Sequence, residues 1–282
     1  MSAPDTPPAA QEARTSRAGR DLPAAIVSGV VLGAAVVASL WLWKPAFMLI
    51  VVAAVLVAVW ELAQAFATGG IRINRVPVTV GGVVMVGVAF LFGAPALVTA
   101  TAVTALVCML WRLRGGVEGY VRDATASVFT VVYVPFLGGF VALLLGEDRG
   151  ALAIATFVLV TIASDIGGYA VGVVAGRHPM APVISPKKSW EGFAGSAVAC
   201  VAVGWLTVVA LLDGRWWVGV LLGLVAVVMA TLGDLCESVI KRDLGIKDMS
   251  QIVPGHGGLM DRLDSLLATA APIWLLLHYL AL

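Results

Sequence analysis

The chain has 282 residues, of which 60% are hydrophobic and only 12% are charged, and its formal net charge is +1. Soluble domains carry roughly 25% charged residues, so this chain has too few charges to cover a water-exposed surface. Together with a mean hydropathy of +0.99, the composition predicts an integral membrane protein. It excludes nucleic-acid binding, secreted scaffolds and cytosolic enzymes.

Nine apolar stretches are long enough to cross a bilayer, whose core of roughly 30 Å needs about 20 apolar residues per helix. We therefore predict an all-α, polytopic transmembrane bundle of about nine spans. The third and fourth spans are separated by a short break at Gly93, and we expect a tight helical hairpin there. The predicted spans are 24–43, 46–67, 76–92, 95–111, 124–146, 151–176, 193–212, 216–240 and 263–282.

The chain divides into three predicted regions. Residues 1–22 are rich in Pro, Ala and Ser, cannot bury a core, and are expected to form a disordered cytoplasmic tail. Residues 23–150 hold about five spans, and residues 151–282 hold about four spans together with the most polar connections.

The positions of Lys and Arg predict the orientation of the bundle. With nine spans and the N-terminus inside, 15 of the 18 basic residues fall on the cytoplasmic side. This alternation follows the positive-inside rule and supports both the span count and a cytoplasmic N-terminus. The three exceptions are Lys44, Arg149 and Arg215.

Polar residues concentrate in two segments of the predicted cytoplasmic side, 177–191 and 233–265. The second holds six carboxylates and four cations, more than a connection between two spans needs. About 27 Å of helix separates Trp216 from Asp234, so this carboxylate lies near the inner edge of the hydrocarbon. An acid at that depth normally faces the bundle interior, a cavity or a metal.

One helix face in this segment combines acid, hydroxyl and cation. Helical spacing aligns Glu237, Ser238 and Lys241 with Asp234, and Arg242 lies beside them. After a glycine-rich turn, two more carboxylates project from the first turn of the last helix. Mg²⁺ is usually held by one or two carboxylates plus the phosphates of its substrate. The pattern therefore predicts a Mg²⁺ and polyphosphate site, and its second pair of carboxylates is Asp261 and Asp264.

Three motifs closely resemble the phosphatidate cytidylyltransferases, also called CDP-diacylglycerol synthases. Residues 238–264 (SVIKRDLGIKDMSQIVPGHGGLMDRLD) resemble the signature of that family. Upstream, residues 164–169 (SDIGGY) and 185–192 (SPKKSWEG) are similar to two further family motifs, the latter often written with Thr where Ser189 stands. The motifs lie in the C-terminal 120 residues, and the first five spans match only in hydropathy.

The resemblance implies an enzyme that condenses CTP with phosphatidic acid to give CDP-diacylglycerol and pyrophosphate, and that requires Mg²⁺. A second cation in addition to Mg²⁺ remains open. The implied metal-binding aspartates are Asp234 and Asp261. The predicted catalytic residues are Asp234, Lys241, Arg242, Asp261 and Asp264, and the predicted substrate-binding residues are Asp165, Ser185, Lys187, Lys188, Ser238, Lys247, His256 and Arg262.

The two basic clusters are expected to hold different substrates. Lys241 and Arg242 share a helix with Asp234, so they are expected at the reacting centre. Lys187 and Lys188 belong to another loop and are expected to hold CTP away from the reacting bond, by clamping its triphosphate or stacking on its base. Asp165 lies deep in its span, which favours contact with a metal ligand or with substrate.

The sequence bears differently on three alternative functions. Another lipid phosphate could replace phosphatidic acid, because the choice of lipid depends on the shape of an apolar groove, which the sequence does not show. An ion-coupled transporter could use Asp165, Asp234 and Glu237, but transporters usually show inverted repeats and none is apparent here. A CDP-alcohol phosphotransferase would carry a DxxDGxxAR segment, which the sequence lacks.

The expected partners are CTP, phosphatidic acid and the lipid bilayer, with no nucleic acid and with a homodimer as one arrangement of the chain. The expected location is the inner (plasma) membrane of the cell, with the active site at the cytoplasmic face.

Overall fold

The computed structural model describes residues 22–252 and 257–282. Within these ranges the chain forms nine helices, one for each predicted span. The fifth contains a wider π-helical turn at Val132–Phe136, where Pro135 interrupts the backbone pattern. The helices are α1 Leu22–Leu42, α2 Lys44–Thr68, α3 Arg75–Phe92, α4 Ala94–Arg112, α5 Tyr120–Gly146, α6 Gly150–Ala175, α7 Trp190–Leu212, α8 Trp216–Asp243 and α9 Met260–Leu280.

Eight of the described helices, α2 to α9, are long and apolar enough to cross a membrane. The remaining helix, α1, has 21 residues. The chain is therefore an integral membrane protein, and the predicted all-α polytopic bundle is confirmed. The tail predicted for residues 1–22 lies outside the described residues, apart from Leu22 at the start of α1.

The predicted break between the third and fourth spans is confirmed. Gly93 ends α3 and precedes α4 with φ +79°, a left-handed conformation that favours glycine because it has no Cβ. Pro95 follows in the first turn of α4, where its missing N–H would have had no helical partner. Local sequence alone thus produces the tight helical hairpin.

The segment between α6 and α7, which was expected to be an irregular loop, forms a β-hairpin. Strand β1 (Pro179–Ala181) pairs antiparallel with strand β2 (Ser185–Ser189). Ser189 then caps α7 by accepting a hydrogen bond from the backbone N–H of Gly192 at 3.1 Å. The all-α prediction omitted this hairpin because its strands are too short and polar to produce an alternating hydrophobic pattern.

The connections predicted on the cytoplasmic side lie together at one end of the bundle, here called the polar end. Contacts among four connections define it. The Leu244 side chain lies against Gly69, the backbone N–H of Arg72 donates to the Asp123 carboxylate at 3.1 Å, and the Arg242 guanidinium donates to the Ile184 carbonyl at 3.4 Å.

The connections predicted on the other side meet at the opposite end of the bundle. Three polar contacts join them: Lys44 to the Leu145 carbonyl at 3.4 Å, Arg149 to Asp213 at 2.8 Å, and His278 to Glu147 at 2.8 Å. The two groups of connections are thus separated as the alternation of basic residues predicts.

Close helix contacts bring the C-terminal elements together. A Cβ on Gly167 of α6 would lie 2.6 Å from the Gly195 carbonyl oxygen of α7, so these backbones touch. A Cβ on Gly233 of α8 would lie 2.5 Å from the Asp264 carbonyl oxygen of α9. Only glycine permits such approaches without a backbone shift. As a result, Asp234 and Asp264 are carried on two helices in direct contact.

Candidate active site

A cavity of about 320 Å³ lies between α6, the hairpin, the start of α7, and α8. Its wall brings together residues of the first two sequence motifs with Asp234 and Ser265, which lie just before and just after the third motif. The predicted site residues in the wall are Asp165, Ser185, Lys187, Lys188 and Asp234. Segments up to about 100 positions apart in the chain therefore share one site, and its wall combines two carboxylates with two lysines.

Asp234 and Lys188 form an ion pair in the cavity wall. The Lys188 Nζ lies 2.6 Å from Asp234 Oδ2, and the side chains are 25% and 36% exposed, respectively. The Ser238 hydroxyl donates to the other Asp234 oxygen at 3.3 Å. An ion pair this exposed contributes only about 0–1 kcal/mol. A phosphate or a cation entering the cavity can therefore exchange with either partner at little energetic expense.

The structure places the two basic clusters differently from expectation, and their assignment to substrates stays a prediction. Lys188 was expected away from the reacting centre, yet it contacts Asp234. Arg242 was expected at that centre, yet it is exposed and its Nε donates to the Ile184 carbonyl in the hairpin turn. In β2 Lys188 is partly buried, whereas Lys187 beside it is exposed, although both line the cavity.

A second charged group lies between α8 and α9. The Lys241 Nζ is 2.7 Å from Asp261 Oδ1 and 3.3 Å from Glu237 Oε2. Asp261 Oδ2 accepts hydrogen bonds from the backbone N–H groups of Met249 and Gly258, each at 3.0 Å. The side chains of Lys241, Asp261 and Glu237 are 18%, 10% and 1% exposed. This group is much more buried than the Lys188–Asp234 pair.

Glu237 was on the predicted helix face but was not assigned to the site. Both of its carboxylate oxygens are buried, and among the described residues neither accepts a hydrogen bond. Its electrostatic neighbours include Asp264 and the hydroxyl group of Tyr133 from α5, which is also buried without a hydrogen-bond partner in the described part of the chain. The sequence signal for Glu237 was its helical spacing, three residues after Asp234 and four before Lys241, which puts it on the same face as both.

The donor set fits a hard cation in its chemistry. Asp234, Glu237 and Asp264 supply carboxylate oxygens, which Mg²⁺ prefers. The buried oxygens of Glu237 have the Lys241 ammonium, 3.3 Å from Oε2, as a charged neighbour but no well-oriented hydrogen bond among the described residues. Among residues 22–252 and 257–282, however, no three acidic, His or Cys side chains converge closely enough to hold a metal by themselves. This arrangement fits Mg²⁺ held by one or two carboxylates together with substrate phosphates.

The two predicted metal ligands differ in how they are occupied. Asp234 has the cavity on one side and the exposed Lys188 ammonium as its partner. Asp261 already accepts from Lys241 and from two backbone N–H groups. Asp234 is therefore the better placed of the two to bind a cation directly, and the metal assignment of both residues stays a prediction.

The remaining predicted site residues lie farther from the cavity wall or outside the described chain. Lys247 and Arg262 are both exposed. Asp264 begins the second turn of α9, and its Oδ1 accepts from the backbone N–H of Ser265 at 2.6 Å. His256 lies outside the described residues.

One residue of this region was missed by sequence reasoning altogether. Glu61, near the C-terminal end of α2, is fully buried and accepts hydrogen bonds from the backbone N–H groups of Leu259 and Met260 at 2.9 and 2.6 Å. The hydroxyl of Ser250 donates to it as well. The available signal was a lone carboxylate inside a predicted span, where an ionisable residue is costly.

Comparison with known proteins identifies the family of this chain. A family model described as the cytidylyltransferase family matches residues 23–280. The chain belongs to the cytidylyltransferase family, as a polytopic membrane enzyme. The match covers the first five spans as well as the three motifs. Membership in this enzyme family argues against the transporter hypothesis.

The relatives carry a more specific name, phosphatidate cytidylyltransferase. The relative from Mycobacterium bovis is 43% identical over 279 residues, covering 94% of this chain and 91% of the relative. That from Mycobacterium leprae is 42% identical over 94% of this chain and 90% of its own length. That from Brucella suis is 31% identical over 89% and 91%, respectively. The family resemblance found in the sequence motifs is thus confirmed.

Proposed function

We propose that this membrane enzyme transfers the cytidylyl group of CTP to phosphatidic acid, forming CDP-diacylglycerol for phospholipid synthesis and releasing pyrophosphate. The observation that carries the proposal is the meeting at one cavity of the first two motifs with the helix that leads into the third. Asp165 from the first motif, Lys188 from the second and Asp234, on the helix that leads into the third, all line its wall. The names of the relatives supply the substrates.

The chemistry requires positioning and charge neutralisation rather than a strong base. A phosphate oxygen of phosphatidic acid attacks the α-phosphorus of CTP, and the bond from that phosphorus to the bridging oxygen breaks to release pyrophosphate. The nucleophile is already an anion at neutral pH, so the obstacle is the approach of two anions. Cationic side chains in a partly enclosed cavity lower that barrier by positioning and electrostatic stabilisation.

The residues of the cavity divide this work. Lys188 moves from Asp234 to a substrate phosphate, since the exposed pair is held weakly. Lys187 and Ser185 bind the nucleotide from the same strand. Lys241 acts less directly. It donates from α8 to the Asp261 carboxylate of α9 and so fixes the position of that carboxylate.

Mg²⁺ belongs to this proposal as a cofactor. Asp234 would hold it at the cavity, with Asp264 or Asp261 contributing from α9, and phosphates of CTP would complete its oxygen ligands. When bound, the ion would neutralise the charge that develops on the leaving pyrophosphate.

We further propose that the polar end, which bears the cavity, faces the cytoplasm of a cell whose inner (plasma) membrane holds the protein. Fifteen of the 18 basic residues lie in the segments assigned to that side, including three in the N-terminal tail, as the positive-inside rule requires. Single cysteines introduced at positions 247 and 215 test the assignment in intact cells. A membrane-impermeant thiol reagent should label position 215 and spare position 247, and the opposite pattern would reverse the orientation.

The activity is tested with purified protein, CTP, Mg²⁺ and phosphatidic acid by following pyrophosphate release together with formation of the liponucleotide. A parallel series with isoprenoid and ether-lipid phosphates tests the lipid. We expect turnover to be highest with phosphatidic acid, and turnover restricted to another lipid phosphate would change the substrate but retain the chemistry. The predicted homodimer is tested by the mass of the detergent-solubilised protein.

A further inference from the structure

Glu61 is the point at which the N-terminal helices reach the site. It belongs to α2, one of the first five spans, yet its hydrogen-bond donors all lie about 190 to 200 positions later in the chain. The carboxylate is fully buried, and an isolated buried charge would cost several kcal/mol. Three donors, together with the N-terminal end of the α9 dipole, compensate for that cost.

The donors of Glu61 alternate with the donors of Asp261. Met249 N–H and Gly258 N–H bond Asp261, whereas the neighbouring Ser250 hydroxyl and Leu259 N–H bond Glu61. The connection between α8 and α9 is therefore bound by the same two carboxylates at two places, residues 249–250 and residues 258–259.

Gly258 shows how close this arrangement is. A Cβ added there would lie 2.8 Å from Asp261 Oδ2 and 3.1 Å from Glu61 Oε1. A shift of the connection away from Glu61 would therefore also move the N–H groups that orient Asp261. Asp261 in turn holds Lys241, which lies between it and Glu237.

We propose that Glu61 is a positioning residue for the reaction. It fixes the α8–α9 connection from α2, and through that connection it sets the orientation of Asp261 and Lys241 beside the acidic residues of α8. In this proposal, which rests on the proposed function, the N-terminal helices serve catalysis by supplying this fixed anchor.

Glu147 provides a matched control, because it contacts α9 near the end opposite to the one that Glu61 contacts. Its carboxylate also reaches α9 from the N-terminal region 23–150, accepting from Trp274 Nε1 at 3.1 Å and lying 2.8 Å from His278 Nδ1. Loss of either glutamate removes a tie between α9 and the N-terminal region, but only Glu61 contacts the connection that orients Asp261.

The test compares Glu61→Gln, Glu61→Asp and Glu147→Gln in the full-length protein. Glutamine keeps the shape of Glu61 but sets an NH₂ donor against a backbone N–H. We expect Glu61→Gln to lower kcat by about 10- to 100-fold, the scale of a misplacement near 1 Å, with KM for CTP within about threefold of wild type. Glu61→Asp, which keeps the charge, should recover part of kcat, and Glu147→Gln should leave kcat near wild type.

Hydrogen exchange provides a readout that does not depend on the reaction. In Glu61→Gln, exchange should rise at Leu259 and Met260, because one of the two loses its acceptor to the NH₂ group. It should also rise at Met249 and Gly258, whose acceptor is Asp261. The proposal is overturned if exchange at Met249 and Gly258 stays as in wild type, or if Glu147→Gln lowers kcat equally.

Ser250→Ala serves if Glu61→Gln does not fold, because it removes a single donor. It should raise exchange at the same amides and lower kcat by a few-fold, and unchanged exchange would again overturn the proposal. Failure of the proposed function would appear differently, as wild-type protein without cytidylyl transfer to phosphatidic acid. The exchange comparison still decides the role of Glu61 in that case.

Discussion

Two charged groups at the polar end of the molecule contain similar residues but differ in burial. Lys188 and Asp234 meet at the cavity wall with side chains 25% and 36% exposed. Lys241 and Asp261 meet between α8 and α9 with side chains 18% and 10% exposed. Exposed ion pairs contribute little to stability, whereas removing one partner of a buried pair is costly because it leaves an uncompensated charge.

This difference in burial indicates different roles: the more exposed pair binds substrate, and the more buried group holds the helices in place. The exposed pair can open for a phosphate or a cation, and its residues line the cavity. The buried group has its polar atoms committed to backbone N–H groups and to neighbouring helices. Mutations in the first should therefore affect turnover with little change in stability, and mutations in the second should affect both.

The largest effect on turnover is expected for Asp234→Asn. Loss of the carboxylate that faces the cavity removes charge neutralisation worth several kcal/mol in the transition state, so kcat should fall at least about 100-fold. The melting temperature should stay within about 3 °C of wild type, because the lost ion pair is exposed. Steady-state pyrophosphate release and thermal unfolding in detergent measure the two quantities.

Magnesium dependence sharpens this prediction. Chelation by EDTA should abolish turnover in wild type and added Mg²⁺ should restore it, and Asp234→Asn should need more Mg²⁺ for its residual activity. Asp213→Asn is the matched control, because it breaks another exposed ion pair, with Arg149 at the opposite end. Retention of more than about a tenth of wild-type turnover, less than about 1.4 kcal/mol of barrier, would remove Asp234 from the reacting centre.

Asp261→Asn should reduce both activity and stability. The substitution leaves Lys241 with Glu237 as its acidic partner. Because the Lys241–Asp261 pair is partly buried, we expect a loss of stability below about 3–5 kcal/mol, the cost of breaking a fully buried pair. We expect kcat to fall at least about tenfold, with a clear decrease in melting temperature that Asp234→Asn does not show. Equal melting temperatures for the two variants would contradict the division between an exposed and a buried group.

The smallest effects separate Lys188 from Arg242. The contact with Asp234 predicts that Lys188→Ala lowers kcat at saturating CTP by about tenfold, the effect expected when an interaction made in the transition state is lost. Arg242→Lys should change kcat by less than about threefold, because Arg242 contacts the hairpin turn.

Sequence alone predicted the reverse assignment for these two residues, with Lys188→Ala mainly raising KM for CTP and Arg242→Lys mainly lowering kcat. Kinetics of that kind would restore it. Thermal unfolding of both variants serves as the control for folding.

Features that depend on residues close together in the chain were predictable from the sequence. The length of each apolar run predicted the spans because a helix must match the bilayer thickness. Helical periodicity placed Asp234, Glu237 and Lys241 on one face. Asp261 was correctly placed in the first turn of α9, and the motifs correctly indicated the family.

The tertiary structure decided which separate segments meet. The hairpin turned Lys188 rather than Arg242 toward Asp234, and Asp261 received its backbone donors from a connection that returns to it. Glu61 reached that connection from α2, almost 200 positions away. Periodicity and hydropathy act within single helices, whereas these contacts depend on how helices pack at glycine-lined approaches such as that of Gly233 to Asp264.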